Sequence, residues 1–341
     1  MTDRPPTPEP RVSDYTEREL IARITSRLPP PPEWMPIGIG DDAAVVEPER
    51  NRLEVLSVDA LVEGVHFDRA FTPPAAIGHR ALAVNLSDLA AMGAAPRLCL
   101  LSLALPASLP VDDFDAMIGG LAALAARHRM HVAGGNLTRS PGPLVLDVTV
   151  SGTAKRRQLL TRSGAHAGDE LYVTGTIGAA AAGLGMLREQ GLSAATPENT
   201  CAARYLYPEP RMRMGLLVAR SRTANAGMDL SDGLADGVHQ IASASGLGAV
   251  IDADALPVDP AARAWFSARG EDVTTAVLTR GDDYELLLAV SPKAGRRLAE
   301  ARRHGGVPLT WIGVCTREPH VMLKCRDAAD RPLPSGYQHF R

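Results

Sequence analysis

An α/β protein of two domains, with strands and helices in α+β layers, follows from three features of the chain. Its 341 residues exceed what one core ordinarily holds, since single cores stop growing at roughly 250–300 residues. Apolar runs of strand length alternate with stretches of helical periodicity in both halves. A glycine-rich basic segment, "TAKRRQLLTRSGAHAGDE", breaks that rhythm and places a domain boundary near Gly152–Gly168. The expected division is a disordered, proline-rich tail over residues 1–12, an N-terminal domain over 13–152 and a C-terminal α/β domain over 153–341.

After the tail, "TERELIARITSRL" offers Thr16 and Glu19 as a capping box and Leu20, Ile21, Ile24 and Leu28 as one apolar helix face, ended by prolines. Residues 37–65 read as short strands and loops. "AAIGHRALAVNLSDLAAMG" reads as a helix of mostly small residues, "RLCLLSLAL" as a buried strand, "VDDFDAMIGGLAALAARH" as a helix and "LVLDVTVSG" as a strand with one polar face. Beyond the boundary, "ELYVTG" (strand) leads into "TIGAAAAGLGMLREQ" (helix). "GMDLSDG", "LADGVHQIASAS", "AVID", "YELLLAV", "KAGRRLAEARRH" and "WIGVC" continue the alternation. Leu-Ser-Asp occurs at 86–88 and 230–232 and Gly-Asp-Asp at 40–42 and 281–283, in reversed order, which argues against a simple tandem repeat.

Composition excludes several classes. A formal net charge of −3 argues against a nucleic-acid binder, which needs a basic face to displace counterions from phosphates. No run of about 18 apolar residues is present to span a membrane, and the N-terminus lacks the charged-then-apolar order of a signal peptide. Cys99, Cys201, Cys315 and Cys325 lie far apart without CxxC spacing. They suggest neither zinc nor a disulfide framework, and fit the reduced thiols of a cytoplasmic protein.

The chemistry is carried by acids set in glycine-rich or apolar sequence. These are "GIGDDAAVV" (Asp41, Asp42), "SVDALVEGVHF" (Asp59), "NLSDLAAMG" (Asp88), "MDLSDG" (Asp229, Asp232) and "RGDDYELL" (Asp282, Asp283). Taken singly, such an Asp is more often a turn residue or helix N-cap. Five clusters gathered at a core edge would repel one another unless a divalent cation bound them. Mg²⁺ is the natural candidate, because it takes a few carboxylates together with water and substrate phosphates. Neither a P-loop nor a protein-kinase motif set is present, and Lys155, Lys293 and Lys324 are the only lysines. Phosphoryl chemistry here would therefore rest on metal ions, arginine and backbone N–H groups. "YVTGTIGAAAAGLG" could present a helix N-terminus to an anion, although close packing explains its glycines as well. "AGGNLTRS" is a second candidate backbone cradle after a strand. Arg162 is either a phosphate clamp or a solvated linker residue, and His66 is more readily a structural histidine than a phosphate contact.

Taken as an ordered set, "GIGDDAAV", "SVDALVEGVHF", "AVNLSDLAAMGA", "GGNLTR", "LTRSGAHAGDELYVTG", "MDLSDGL", "GDDYEL" and the closing "GYQHF" resemble the thiamine-monophosphate kinases, from about Ile37 to Phe340. The resemblance implies the two-domain aminoimidazole ribonucleotide synthetase-like fold, a homodimer joined through the N-terminal sheets, and ATP between the halves. It also implies Mg²⁺-dependent, direct in-line transfer of the γ-phosphate of ATP to thiamine monophosphate, with no catalytic base. By motif, Asp42, Ser57, Val58 (through its carbonyl), Asp59, Asp88, Asn136, Asp229 and Asp232 fall on metal positions. Gly135, Asn136, Arg162 and Ser231 fall on nucleotide contacts, and His66, Asp282 and Tyr337 on the substrate side. Two residues depart from the family's usual choice. Asn136 stands where Asp is common, offering an amide oxygen without charge, and Asp282 stands where Glu is common, one methylene shorter. The alternatives are another ATP-dependent enzyme of the superfamily, of the purine-synthesis type, or a non-catalytic nucleotide or metal sensor.

Overall fold

A computed structural model of the chain describes residues 9–326 and 329–336. It separates into two compact units. The first holds the chain up to Pro48, Val58–Leu82 and Arg97–Val150; the second holds Glu49–Ser57, Ala83–Pro96 and the chain from Ser151 onward. The last changeover lies between Val150 and Ser151. The second unit also takes two segments of the N-terminal half, which a single linear cut does not express.

In the first unit the N-terminal stretch departs from the expected tail. The Pro10 carbonyl accepts from the Val111 N–H at 2.9 Å, the Val12 N–H donates to the Leu109 carbonyl at 2.9 Å, and Val12 is buried. The chain is therefore packed from Pro10 onward. Helix α1 (Glu17–Thr25) opens with the anticipated capping box: the Glu19 N–H donates to Thr16 Oγ1 at 3.3 Å, and the Thr16 N–H donates to Glu19 Oε2 at 2.7 Å. Two of its predicted apolar residues, Leu20 and Ile24, are buried.

Strand β1 (Leu53–Val62) is longer than the short strands expected in this region. Its two-residue period puts Ser57 and Asp59 on the less exposed side and Leu56 and Val58 on the open side. Helix α2 (Pro74–Ala91), strand β2 (Ala95–Pro106), helix α3 (Val111–Arg127), strand β3 (His131–Ser140) and strand β4 (Val145–Ala154) follow. The sheet order is β1-β4-β2-β3. Helices α2 and α3 touch backbone to backbone. A Cβ on Gly78 would stand 1.8 Å from the Met117 carbonyl oxygen, and one on Gly120 2.0 Å from that of Ala75. Phe114, Met117, Ile118 and Leu121 of α3 are buried, as are the alternate residues Leu101, Leu103 and Leu105 of β2. "GGNLTRS" lies inside β3, paired in parallel with β2 (Leu101 opposite Gly135, Ser102 opposite Asn136). It is strand rather than the expected loop after one.

The second unit continues with β5 (Glu170–Thr174), α4 (Ala179–Gln190), α5 (Thr200–Leu206), α6 (Met212–Ser221), β6 (Ala224–Asp229) and α7 (Leu234–Ser245). It then runs through β7 (Gly248–Asp252), α8 (Pro260–Ala268), α9 (Val273–Thr279), β8 (Leu286–Val290), α10 (Gly295–His304), β9 (Leu309–Thr316), β10 (Val321–Lys324) and β11 (Arg331–Pro332). These strands form one seven-stranded sheet in the order β11-β10-β7-β9-β5-β8-β6. Its pairs are antiparallel except β7 with β10. β8 is buried along its whole length, which is why its sequence is an unbroken apolar run instead of an alternation. Val173, Met228, Val238, Ile241, Phe266, Leu287 and Ile312 belong to the core. This core fixes the end of β6, where the chemistry begins.

Candidate active site

β6 ends at Asp229, and Gly233 (φ 97°) turns the chain into α7. Asp229 is only 4% exposed and accepts a hydrogen bond from the Ser87 hydroxyl at 2.8 Å. The next residue on α2, Asp88, accepts from the Ser57 hydroxyl. Burial pushes the Asp88 carboxyl above its ordinary range, while the Ser57 hydrogen bond and the charge of Arg162 pull it back down. Ser57, Asp88, Asp229 and Arg162 are thus linked within the second unit, joined by Ser87, which the sequence did not single out. Its signal was the repeated Leu-Ser-Asp: in "NLSDL" both the Ser and the Asp are used.

Arg162 is held on its other side. Its Nη1 donates to Gln240 Oε1 at 2.5 Å, and Gln240 Nε2 donates to Asp236 Oδ2 at 2.5 Å. Asp236 and Gln240 lie one turn apart on α7 and so share a face. This relay orients the exposed guanidinium of Arg162.

"LSDG" and "GDDYE" are laced together by backbone. The Asp282 N–H donates to the Ser231 carbonyl at 2.8 Å, the Tyr284 N–H to the Leu230 carbonyl at 3.0 Å, and the Leu230 N–H to the Glu285 carbonyl at 2.8 Å. A Cβ on Gly281 would lie 1.9 Å from the Ser231 oxygen, so only glycine admits this approach. Asp282 (φ 69°) and Tyr284 (φ 50°) both take left-handed backbone, uncommon for residues with a side chain. Their side chains meet, the Tyr284 hydroxyl donating to Asp282 Oδ1 at 3.1 Å.

The acids that alternate with them, Asp283 and Glu285, are buried. Asp283 accepts from the Gly178 N–H at 2.7 Å and the Ala180 N–H at 3.3 Å. The helix N-terminus that could have presented N–H groups to an outside anion is therefore occupied by the chain's own carboxylate. Burial drives the Asp283 carboxyl up to about 7, against the lowering pull of the Gly178 N–H, Arg204 and the Ala180 N–H. Glu285, fully buried, accepts from Arg211 Nε, Arg204 Nη2 and Thr174 Oγ1, each at 2.6 Å. Glu285, Arg204 and Arg211 carried no motif signal, because their partners are 74 to 111 residues away in sequence.

In the first unit, Asp42 is exposed and its N–H donates to Asp41 Oδ1 at 2.8 Å. Asp59 and Val58 occupy opposite sides of β1. His66 Nδ1 accepts from the Val62 N–H at 3.1 Å. Gly135 and Asn136 are exposed on β3. Asp232 follows Ser231 in the loop before α7, and Tyr337 lies outside the described residues.

Among the described residues no three carboxylate, imidazole or thiol groups are gathered as a metal cluster. The donors at Asp88 and Asp229 are oxygens alone, carboxylates beside hydroxyls. Such a set fits a hard cation that keeps water and takes its remaining ligands from substrate phosphates, as Mg²⁺ does.

Two family models cover the chain: AIR synthase related protein, N-terminal domain, over residues 40–154, and AIR synthase related protein, C-terminal domain, over residues 166–326. The fold and the site thus define a protein of the AIR synthase related class. A thiamine-monophosphate kinase of Synechococcus elongatus is 41% identical over 307 residues, 88% of this chain and 91% of its own length. The crystal structure of thiamine-monophosphate kinase from Stenotrophomonas maltophilia K279a superposes with a TM-score of 0.79 at 37% identity, covering 91% of this chain and 96% of that one. AaThiL complexed with AMPPCP and TMP superposes with a TM-score of 0.73 at 29% identity, covering 95% and 99%. The chain belongs to the thiamine-monophosphate kinase family.

Proposed function

We propose that the chain transfers the γ-phosphate of ATP to thiamine monophosphate, giving thiamine diphosphate and ADP. The observation that carries this reading is the Ser57–Asp88 and Ser87–Asp229 pairing with Arg162 beside Asp88, in a chain whose relatives bear that activity as their name. A relative's complex with AMPPCP and TMP supports the substrate pair.

The acceptor is a phosphate already ionised near neutral pH, so no group need remove a proton from it, and rate comes from positioning and charge neutralisation. Arg162, held by Gln240 and Asp236, offers a planar pair of donors to phosphate oxygens. Ser231 presents its hydroxyl from the loop fixed by Gly281, and Gly135 and Asn136 add nucleotide contacts from β3. Asp282, held in left-handed backbone, carries a negative charge for the thiazolium side of the substrate, with His66 and Tyr337 as further substrate contacts. Mg²⁺, held by Asp42, Ser57, Val58, Asp59, Asp88, Asn136, Asp229 and Asp232, would supply neutralisation of the phosphate charge.

The test is ADP release followed with and without thiamine monophosphate, over a Mg²⁺ titration. Release that requires both is expected; nucleotide binding with no release would leave a sensor and sink the kinase reading. A homodimer belongs to the same proposal. Leu56 and Val58 of β1 and Leu100 of β2 are 69%, 58% and 42% exposed, and exposed apolar residues on a sheet face call for a partner. A Leu100→Asp chain should sediment as a monomer if that face joins two copies. A cytoplasmic site of action belongs to the same proposal; among the described residues no helix is long and apolar enough to cross a membrane.

A further inference from the structure

Two adjoining cavities of the second unit, each of about 450 Å³, share Arg157, Gln158 and Arg222 in their walls. Lys155, Arg156 and Arg220 line one of them and Arg297 the other, and no Asp or Glu lines either. This is unusual in a chain whose 39 acidic side chains outnumber its 36 Lys and Arg. Elsewhere arginines find those acids: Arg204 and Arg211 pair with Glu285, Arg269 with Glu189, and Arg280 with Glu271. Among the described residues the six cations of the cleft make no ion pair.

The cleft is also shaped. The segment bearing Lys155–Gln158 is a closed turn, with the Gln158 N–H donating to the Lys155 carbonyl at 2.8 Å. Arg222 ends α6 in left-handed backbone (φ 51°), and Arg297 of α10 donates Nη1 to the Arg222 carbonyl at 2.6 Å. That bond fixes one guanidinium at the rim before any ligand arrives. The wall includes Ala224 and Asn225, the first residues of β6, whereas Asp229 is the last. Five residues of strand separate the two ends by roughly 17 Å, so the cleft and the carboxylates of the candidate active site are different places.

We propose that this cleft is a second anion site, built for a small molecule carrying two or three linked phosphates. Guanidinium groups grip phosphate oxygens in pairs, and two cavities side by side suit a chain of phosphates better than a single one. Arg157 and Arg162 share one short segment, so occupancy of the cleft bears on the turn that leads to Arg162. The proposal does not rest on the kinase reading, because no residue of the cleft takes part in that chemistry.

Calorimetric titration of the full chain with pyrophosphate and, separately, orthophosphate tests it, in EDTA and at 0.15 M salt. Wild type and Arg162→Ala should both bind pyrophosphate at least tenfold more tightly than orthophosphate. An Arg157→Glu, Arg222→Glu chain should lose at least tenfold in pyrophosphate affinity while keeping its melting temperature and its thiamine-monophosphate-dependent ADP release. Should charge reversal disturb folding, the Arg157→Gln, Arg222→Gln chain carries the same expectation. Undiminished binding after either double substitution, loss of binding in Arg162→Ala, absence of binding at this salt, or equal affinity for the two anions would each overturn the assignment.

Discussion

Asp283 and Glu285 stand among N–H, hydroxyl and guanidinium donors drawn from β5, the start of α4, α5 and the entry to α6, whereas Asp88 and Asp229 are met by the hydroxyls of Ser57 and Ser87. All four lie in the second unit. Around Glu285 two guanidinium groups cancel the charge, so the carboxylate serves the fold by tying distant segments together. A hydroxyl gives one hydrogen bond and brings no opposite charge of its own. These acids thus differ in their donors: Asp283 and Glu285 are held by the chain's own amides and guanidinium groups, whereas Asp88 and Asp229 accept from serine hydroxyls.

The largest expected effect tests the first of these pairs. Glu285→Ala strands two arginines in a buried site and should cost about 3–5 kcal/mol of stability, read by urea unfolding; a loss below about 1 kcal/mol would show that the ion pairs are not structural. Asp88→Asn tests the other side: kcat/KM should fall about 10²–10³-fold with the urea midpoint close to wild type. If Asp88→Asn instead unfolds the chain and spares activity, the contrast collapses.

Asp283 sharpens the comparison through pH. Its carboxyl lies at about 7 in the native protein and near 4 when unfolded, so between these values the native state holds a proton that the unfolded chain has released. Its contribution is therefore most favourable below about pH 4, declines as pH rises to about 7, and is level above. Asp283→Asn should flatten the fall in unfolding free energy between pH 5 and 7.5; an unchanged slope would assign that fall to other groups. The smallest effect is expected at Ser57. Removing its hydroxyl takes away a group that lowers the Asp88 carboxyl, so Ser57→Ala should move the acid limb of the kcat/KM profile upward by less than about one pH unit.

Local rules made much of this legible from the chain. Thr16 and Glu19 form their box because three-residue spacing on a first turn leaves little choice, and β8 reads as core because an unbroken apolar run has nowhere else to go. "GGNLTRS" was misread because its glycines and polar residues look like loop, while pairing with β2 holds them in a strand. The sequence left the N-terminus of α4 open between an anion site and close packing: its N–H groups do meet an anion, but it is Asp283, 103 to 105 residues away, brought there by the fold.

Sequence by itself determined the alternation of strands and helices, the acidic motifs and the family they resemble, since periodicity, caps and motif order act over a few residues. Only the tertiary structure decided which acids meet the protein's own arginines and amides, which meet serine hydroxyls, and how Asp236 and Gln240 hold Arg162. Those outcomes depend on donors brought together from distant parts of the chain, and a hydrogen bond acts over about 3 Å whatever the separation in sequence.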